Sequence, residues 1–181
     1  MKLLIYHAKQ CNPKACTSNK LKKFRLAEVF YTPSKIPRNS IILNPYADKV
    51  LSKEDKRYMK HGLVALDCSW KRAYNVFGTL KKPYNDRVLP LLIAGNPINY
   101  GKIKKLSTVE SLASALYILG YPEYGENILQ KFKWGPSFLE LNRELLEDYA
   151  QAKNEEEVIK KEKEWIKLWQ DSKKQRKDYF T

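Results

Sequence analysis

Hydrophobic patterning changes near Asn96, and that change limits what this chain can fold into. Before it, apolar residues come in short runs: 2–6 (KLLIY), 27–31 (AEVFY), 41–43 (IIL), 62–66 (GLVAL) and 88–94 (VLPLLIA). Such runs, bounded by Pro, Asn and Gly, read as buried strands. Ser52-Lys53-Glu54-Asp55 resembles a capping box and predicts a helix to about Lys60. A second helix is predicted from Ser69 to about Phe77. Strands alternating with helices indicate an α/β unit with a mainly parallel sheet. After Asn96 the period becomes helical. Ser107 is a good N-cap with Glu110 three residues on, followed by Val109, Leu112, Ala113, Leu116 and Tyr117 on one face. Gly120-Tyr121-Pro122 stops that helix. Residues 123–132, 136–150 and 155–177 predict three more, the last with a stripe of Val158, Ile159, Trp165, Ile166 and Trp169. The expected architecture is an α/β domain over 1–92 and an all-α domain over 93–181.

Charge divides at nearly the same place. The 181 residues carry 34 Lys+Arg and 20 Asp+Glu, a net +14, with a pI near 9.6. Residues 1–107 hold 22 basic and 6 acidic residues, net +16; the remainder is net −2. A basic front half suits a polyanion, and RNA is the natural candidate in a chain with 12 Tyr, 4 Trp and 6 Phe. A lysine-rich but unpartnered surface is the plainer account of the same numbers. No apolar run approaches the ~18 residues of a membrane span. The apolar start is too short for a signal segment. Three cysteines, an odd number, do not make a secreted disulfide scaffold. The expectation is a soluble cytoplasmic protein.

Several chemistries lack their residues. Neither GxGxxG nor GxxxxGK[ST] occurs, and the chain has only 7 Gly. Cys11, Cys16, Cys68 and His7 fall short of a convincing ligand set, so no metal is expected. Two stretches at predicted strand ends stand out. Asp67-Cys68-Ser69-Trp70 puts a carboxylate and an indole where an α/β sheet places ligands. The indole suits base stacking, and the carboxylate suits accepting a proton or holding a positive group. A core Trp beside a helix N-cap explains the same residues more simply. The second stretch, 89–101 (LPLLIAGNPINYG), reads as a strand running into a rigid loop with unpaired backbone groups, or as an ordinary turn between domains.

In order along the chain, Cys11-Asn12-Pro13-Lys14-x-Cys16-Thr17, Ile42-Leu43-Asn44-Pro45 and Leu66-Asp67-Cys68-Ser69-Trp70 are followed by Arg87-x-Leu89-Pro90. Ala94-x-Asn96-Pro97-x-Asn99-Tyr100-Gly101, Leu106-Ser107-x-Val109-Glu110 and Phe132-x-Trp134-Gly135 complete the series. Together they resemble the archaeal Tsr family of small-subunit rRNA aminocarboxypropyltransferases, from about residue 5 to 150. The first stretch also resembles the segment before the ferredoxin-like part of the RNase L inhibitor family, although the cysteines of a cluster are missing. The chain departs from the pattern at Asn12, where family members have Asp, and at Gly95, where many have Ala. Gly95 is expected to loosen its loop.

The resemblance implies a SPOUT-like, knotted, mainly parallel α/β domain followed by a helical one, with S-adenosylmethionine in the cleft between them. It implies transfer of the 3-amino-3-carboxypropyl group to N3 of a (methyl)pseudouridine or uridine in small-subunit rRNA, releasing 5′-methylthioadenosine. Leu43, Pro45 and Trp70 are then expected on one side of the adenine, with Leu89, Leu106 and Ser111 (Ala in most members) on the other. Backbone groups around Leu66 and over residues 89–92, beginning at Leu89, are expected to bond ribose and adenine. Thr17 and Thr108 are expected at the amino-acid tail, and Asp67 at the sulfonium as the candidate base. Lys20, Lys22, Lys23, Arg25, Arg38, Lys71, Arg72 and Arg87 are the expected RNA contacts. The protein is expected to act as a monomer, without a metal. A SPOUT-like RNA methyltransferase and a non-catalytic ribosome-assembly protein are the competing readings.

Overall fold

The structure is a computed structural model describing residues 2–10, 16–69, 73–78, 80 and 83–178. Five strands form one parallel sheet: β1 (Leu3–His7), β2 (Glu28–Phe30), β3 (Ile41–Leu43), β4 (Leu63–Asp67) and β5 (Asn85–Arg87), in the order β2-β1-β4-β3-β5. Alternate residues serve opposite faces, as the two-residue period requires. Leu3, Ile5, Ile41, Leu43, Leu63 and Ala65 join the large core beneath the helices. Leu4, Phe30, Ile42 and Val64 form a smaller core on the other face with Phe77. Phe77 lies on α2 (Ala73–Gly78).

The helices are α1 (Thr17–Lys23), α3 (Thr108–Ile118), α4 (Pro122–Leu129), α5 (Gly135–Gln151) and α6 (Glu155–Asp178). The Ser107–Glu110 capping box forms as expected. However, α3 is not amphipathic in place: nearly every residue from Val109 to Ile118 is buried. Its one exception is Ser111. A helix apolar on most sides belongs at the centre of a core, and α3 packs on β4, α1, α4 and α5. The large core therefore runs without a break from the sheet, across the expected boundary at 92/93, into the helices. None of the helices among the described residues is long and apolar enough to cross a membrane.

One local expectation is met and one is corrected. The helix expected after Ser52 forms over residues 53–61, with its capping box, as a 3-10 helix. Its first turn is held by Ser52, whose backbone N–H donates to Asp55 Oδ2 at 3.1 Å. The apolar run 88–94 is not a strand; the fifth strand is the polar stretch just before it. Pro90 has no N–H to give a ladder. At Leu91 and Ile93 the run's backbone groups are taken by helix side chains instead. Leu91 N–H donates to Glu162 (2.8 Å), and Ile93 N–H to Asn142 Oδ1 (2.7 Å). Asn142 Nδ2 returns a bond to Ile93 O at 2.8 Å, and Tyr149 donates to Leu91 O at 3.2 Å. Residues 88–96 are thus a buried connector, pinned by α3, α5 and α6.

Gly95 does not loosen its loop. A Cβ there would lie 2.6 Å from Phe138 Cα and 2.7 Å from Phe138 N, backbone atoms that cannot step aside. The missing side chain lets α5 sit directly on the connector.

Candidate functional site

All five strands are parallel, so their C-terminal ends lie along one edge, the edge where open α/β sheets take ligands. There β4 delivers Asp67, in register with His7 of β1. A cavity of about 890 Å³ opens at this edge, between the sheet, α1 and the N-terminus of α3. Among the expected site residues, Thr17, Leu43, Pro45, Leu66, Asp67, Leu106, Thr108 and Ser111 line it together. Lys20 and Lys23 line it too. Leu89 does not; it is packed against the large core. Trp70, Lys71 and Arg72 lie outside the described residues.

The walls differ in chemistry. Leu43, Pro45 and Leu106 supply an apolar slot. Ser107, Thr108 and Ser111 present the first turn of α3, whose N–H groups and dipole favour an anionic group. Asp67, only 8% exposed, supplies a carboxylate.

Asp67 is held from α1. Cys16 is the N-cap of that helix, its sulfur accepting from Asn19 N–H. The Cys16 thiol donates to Asp67 Oδ2 at 3.3 Å, and the Ser18 hydroxyl donates to the same oxygen. Imidazole Nε2 of His7 lies 3.3 Å from Cys16 Sγ and 3.8 Å from Asp67 Oδ2. Lys9 N–H donates to His7 Nδ1 at 2.9 Å, which leaves the ring proton on Nε2, facing the thiol and the carboxylate. A strand-end carboxylate at this site is therefore oriented by three neighbours that the sequence did not join to it. For Ser18 no sequence signal exists; for Cys16, its place just before a short basic helix was the available clue.

Of the described residues, His7, Cys16 and Asp67 are also those able to offer a metal ion three ligand atoms within 4.8 Å of one another. An all-cysteine iron–sulfur cluster takes four thiolates, and the chain has three cysteines. Burial pushes the Cys68 thiol up to about 11, and the charge of neighbouring Asp67 adds to the rise. At pH 8 roughly one Cys68 in a thousand is then a thiolate. Iodoacetamide is expected to alkylate it slowly at pH 8 and faster as the pH approaches 11, read by mass spectrometry. Asp67→Asn should speed the reaction at a given pH; rapid labelling of the unaltered protein at pH 8 would contradict this placement.

The expected cationic contacts separate into groups. Lys22, Lys23, Arg25 and Arg38 are exposed, and Lys20 is partly exposed with its Nζ 4.6 Å from the Phe132 ring centroid. Arg87 is corrected: it is 9% exposed, and its Nε donates to both Asp55 oxygens at 2.9 Å while a terminal nitrogen lies 2.7 Å from Oδ1. That guanidinium is committed to tying β5 to the 3-10 helix.

Glu110 carries more than the cap expected of it. Fully buried, it accepts from Gly95 N (2.7 Å), Asn96 N (2.9 Å), Asn96 Nδ2 (2.7 Å) and Ser107 N (2.6 Å). One carboxylate fixes both the connector and the helix start that line the cavity. Phe77, Asn96, Phe132 and Trp134 also line it, although none was singled out as a site residue.

The family model described as "Ribosome biogenesis protein, C-terminal" matches residues 41–166, and "Possible Fer4-like domain in RNase L inhibitor" matches 1–30. A 16S rRNA aminocarboxypropyltransferase of Methanocaldococcus jannaschii is 49% identical over 92% of this chain and 96% of its own length. One from Methanopyrus kandleri is 46% identical over 91% of this chain and 98% of its own. The solved structure of the SAM-dependent rRNA:acp-transferase Tsr3 from Vulcanisaeta distributa superposes with a TM-score of 0.81 at 35% identity, covering 92% of this chain and 96% of that one. Agreement over nearly the full length, in sequence and in fold, places this chain in the family of the archaeal 16S rRNA aminocarboxypropyltransferases.

Proposed function

We propose that this protein transfers the 3-amino-3-carboxypropyl group of S-adenosylmethionine to N3 of a (methyl)pseudouridine or uridine in small-subunit rRNA. One observation carries the reading: a single cavity joins an apolar slot, a helix N-terminus and the oriented carboxylate of Asp67. These are the three chemistries needed for an adenine, an amino-acid carboxylate and a sulfonium. S-adenosylmethionine supplies the carboxypropyl carbon: its bond to sulfur breaks as the bond to N3 forms, and neutral 5′-methylthioadenosine leaves.

The residues have distinct tasks. Leu43, Pro45 and Leu106 exclude water from the adenine face, and Trp70 completes that slot. Ser111 lies with Leu106 on the side opposite Leu43 and Pro45. Backbone groups at Leu66, on the cavity wall, bond ribose and adenine. Thr17, with the N–H groups at Thr108, holds the tail. Asp67 offsets the positive charge and takes the N3 proton. Choice between the methyl and carboxypropyl carbons follows from which one this wall turns toward the attacking nitrogen. Lys20, Lys22, Lys23, Arg25, Arg38, Lys71 and Arg72 supply affinity for RNA phosphates.

The finer architecture proposed with this reading is a SPOUT-like knotted domain over 1–92 followed by a helical domain over 93–181, acting as a monomer in the cytoplasm. The all-parallel sheet and the helical second half support the order of an α/β part before a helical one.

The test uses S-adenosylmethionine labelled separately in its methyl and its carboxypropyl carbons, with small-subunit rRNA. Label from the carboxypropyl portion is expected in RNA, with 5′-methylthioadenosine in solution. Methyl label in RNA would make the protein a methyltransferase, and label from neither portion would make it a non-catalytic binder.

A further inference from the structure

Residues 97–105 form an exposed stretch in which Asn99 alone is partly covered. Within it Ile98 is 71% exposed, Tyr100 63% and Ile103 47%. Three large apolar side chains within six residues stand in water. Single exposed apolar residues are ordinary; a cluster on the rim of a functional cavity calls for a partner. Pro97, Ile98 and Asn99 are themselves part of the cavity lining.

The stretch is built to hold its shape. At its base Gly101 N–H donates to Ala94 O (2.8 Å), Ala94 N–H to Lys102 O (3.0 Å) and Lys104 N–H to Leu92 O (2.9 Å). Several of the backbone groups that the sequence suggested were unpaired are therefore paired. Asn96 sits on buried Glu110 and accepts Asn99 N–H at its Oδ1, 3.1 Å away. Gly101 takes φ +75, the conformation a glycine adopts without strain. The tip's shape is set by folding, so a ligand need not order it.

Its charge selects the ligand. Lys102, Lys104 and Lys105 follow the apolar tip, and residues 97–105 contain no acidic side chain. Lys104 pairs with Glu162 at 3.0 Å. Lys20 and Lys23 add positive charge on the α1 wall of the same cavity. Apolar and aromatic faces flanked by cations suit unpaired nucleotides, whose bases stack while phosphates meet ammonium groups.

Resting on the proposed activity toward rRNA, we infer that this tip seats the unpaired nucleotides beside the target base: Tyr100 and Ile98 stack against neighbouring bases and keep the target base splayed toward the cavity. The inference extends the RNA surface from the expected cationic contacts to the exposed stretch that follows the connector. An enzyme that acts on a base edge needs its target out of the stack, and a rigid apolar wedge at the cavity mouth performs that separation.

The test is affinity for a small-subunit rRNA transcript at several salt concentrations, beside calorimetry with S-adenosylmethionine. Tyr100→Ala is expected to weaken RNA binding about tenfold at every salt concentration, with the salt slope unchanged. Tyr100→Phe, which keeps the stacking face, should bind as the unaltered protein does. Lys102→Ala should instead flatten the slope of log affinity against log salt by about 0.7. S-adenosylmethionine affinity should stay the same in all three. RNA affinity of Tyr100→Ala within twofold of the unaltered protein would overturn the inference. So would concentration-dependent self-association that Tyr100→Ala abolishes, since a second copy would then cover the tip. Because binding is read without turnover, failure to transfer the carboxypropyl group would count against the proposed reaction and leave this result standing.

Discussion

Asp67→Asn is expected to lower carboxypropyl transfer about a hundredfold at saturating S-adenosylmethionine and RNA, the scale of a lost general base. Asparagine has nearly the same shape. Its side-chain oxygen, placed where Oδ2 stands, still accepts from Ser18 and Cys16. The protein should therefore fold with its unfolding temperature little changed, which separates the chemical loss from a structural one. Two contributions disappear together: a negative charge facing the sulfonium, and a site for the N3 proton. Calorimetry separates them, since a weaker grip on S-adenosylmethionine reports the charge and reduced turnover at saturation reports the proton. A variant that turns over at the original rate under saturation would remove Asp67 from the base role and leave it, at most, a binding group. Faster alkylation of Cys68 in the same variant gives an independent sign that the charge is gone, because Asp67 helps raise that thiol.

Much of this site was legible because its residues sit where local rules act. The parallel α/β half followed from short apolar runs. Ser107 and Glu110 showed themselves as a capping box, and the box is there. Asp67 stood out at a strand end, whereas Thr17, Leu43, Leu106 and Thr108 were implied only by the family resemblance; the fold gathers all five around one cavity. What stayed hidden depends on distant partners. The 88–94 run has a strand's composition, yet Glu162, Asn142 and Tyr149, all far along the chain, take backbone groups of Leu91 and Ile93 that a sheet ladder would use. Arg87 reads as a surface cation until Asp55, 32 residues away, is seen to bury it. Gly95 reads as slack until α5 is found resting on it. Periodicity reports which face of an element is apolar. It carries nothing about which side chain will arrive from elsewhere to complete a hydrogen bond.

Glu110→Ala carries the largest expected loss of stability. The glutamate is 0% exposed and accepts four hydrogen bonds, from the backbone N–H groups of Gly95, Asn96 and Ser107 and from the Asn96 side chain. Truncation leaves those donors without an acceptor in a dry interior and opens a void beneath the connector. Each stranded donor costs roughly 1–3 kcal/mol, and neighbouring losses do not simply add, so a total near 4 kcal/mol is expected. Glu110→Gln refines the prediction. Gly95 and Asn96 N–H converge on one oxygen, while Asn96 Nδ2 and Ser107 N–H converge on the other. An amide satisfies one pair and turns its own N–H groups toward the second, so Gln should lose about half as much as Ala by urea unfolding. Equal stability of Gln and the unaltered protein would mean that the second pair finds water or another acceptor. Asn96 also braces the exposed tip through Asn99. Under conditions where Glu110→Gln stays folded, it should therefore bind RNA more weakly although no RNA-facing atom has changed. An unchanged RNA affinity in the folded Gln variant would show that the tip keeps its shape without the buried carboxylate.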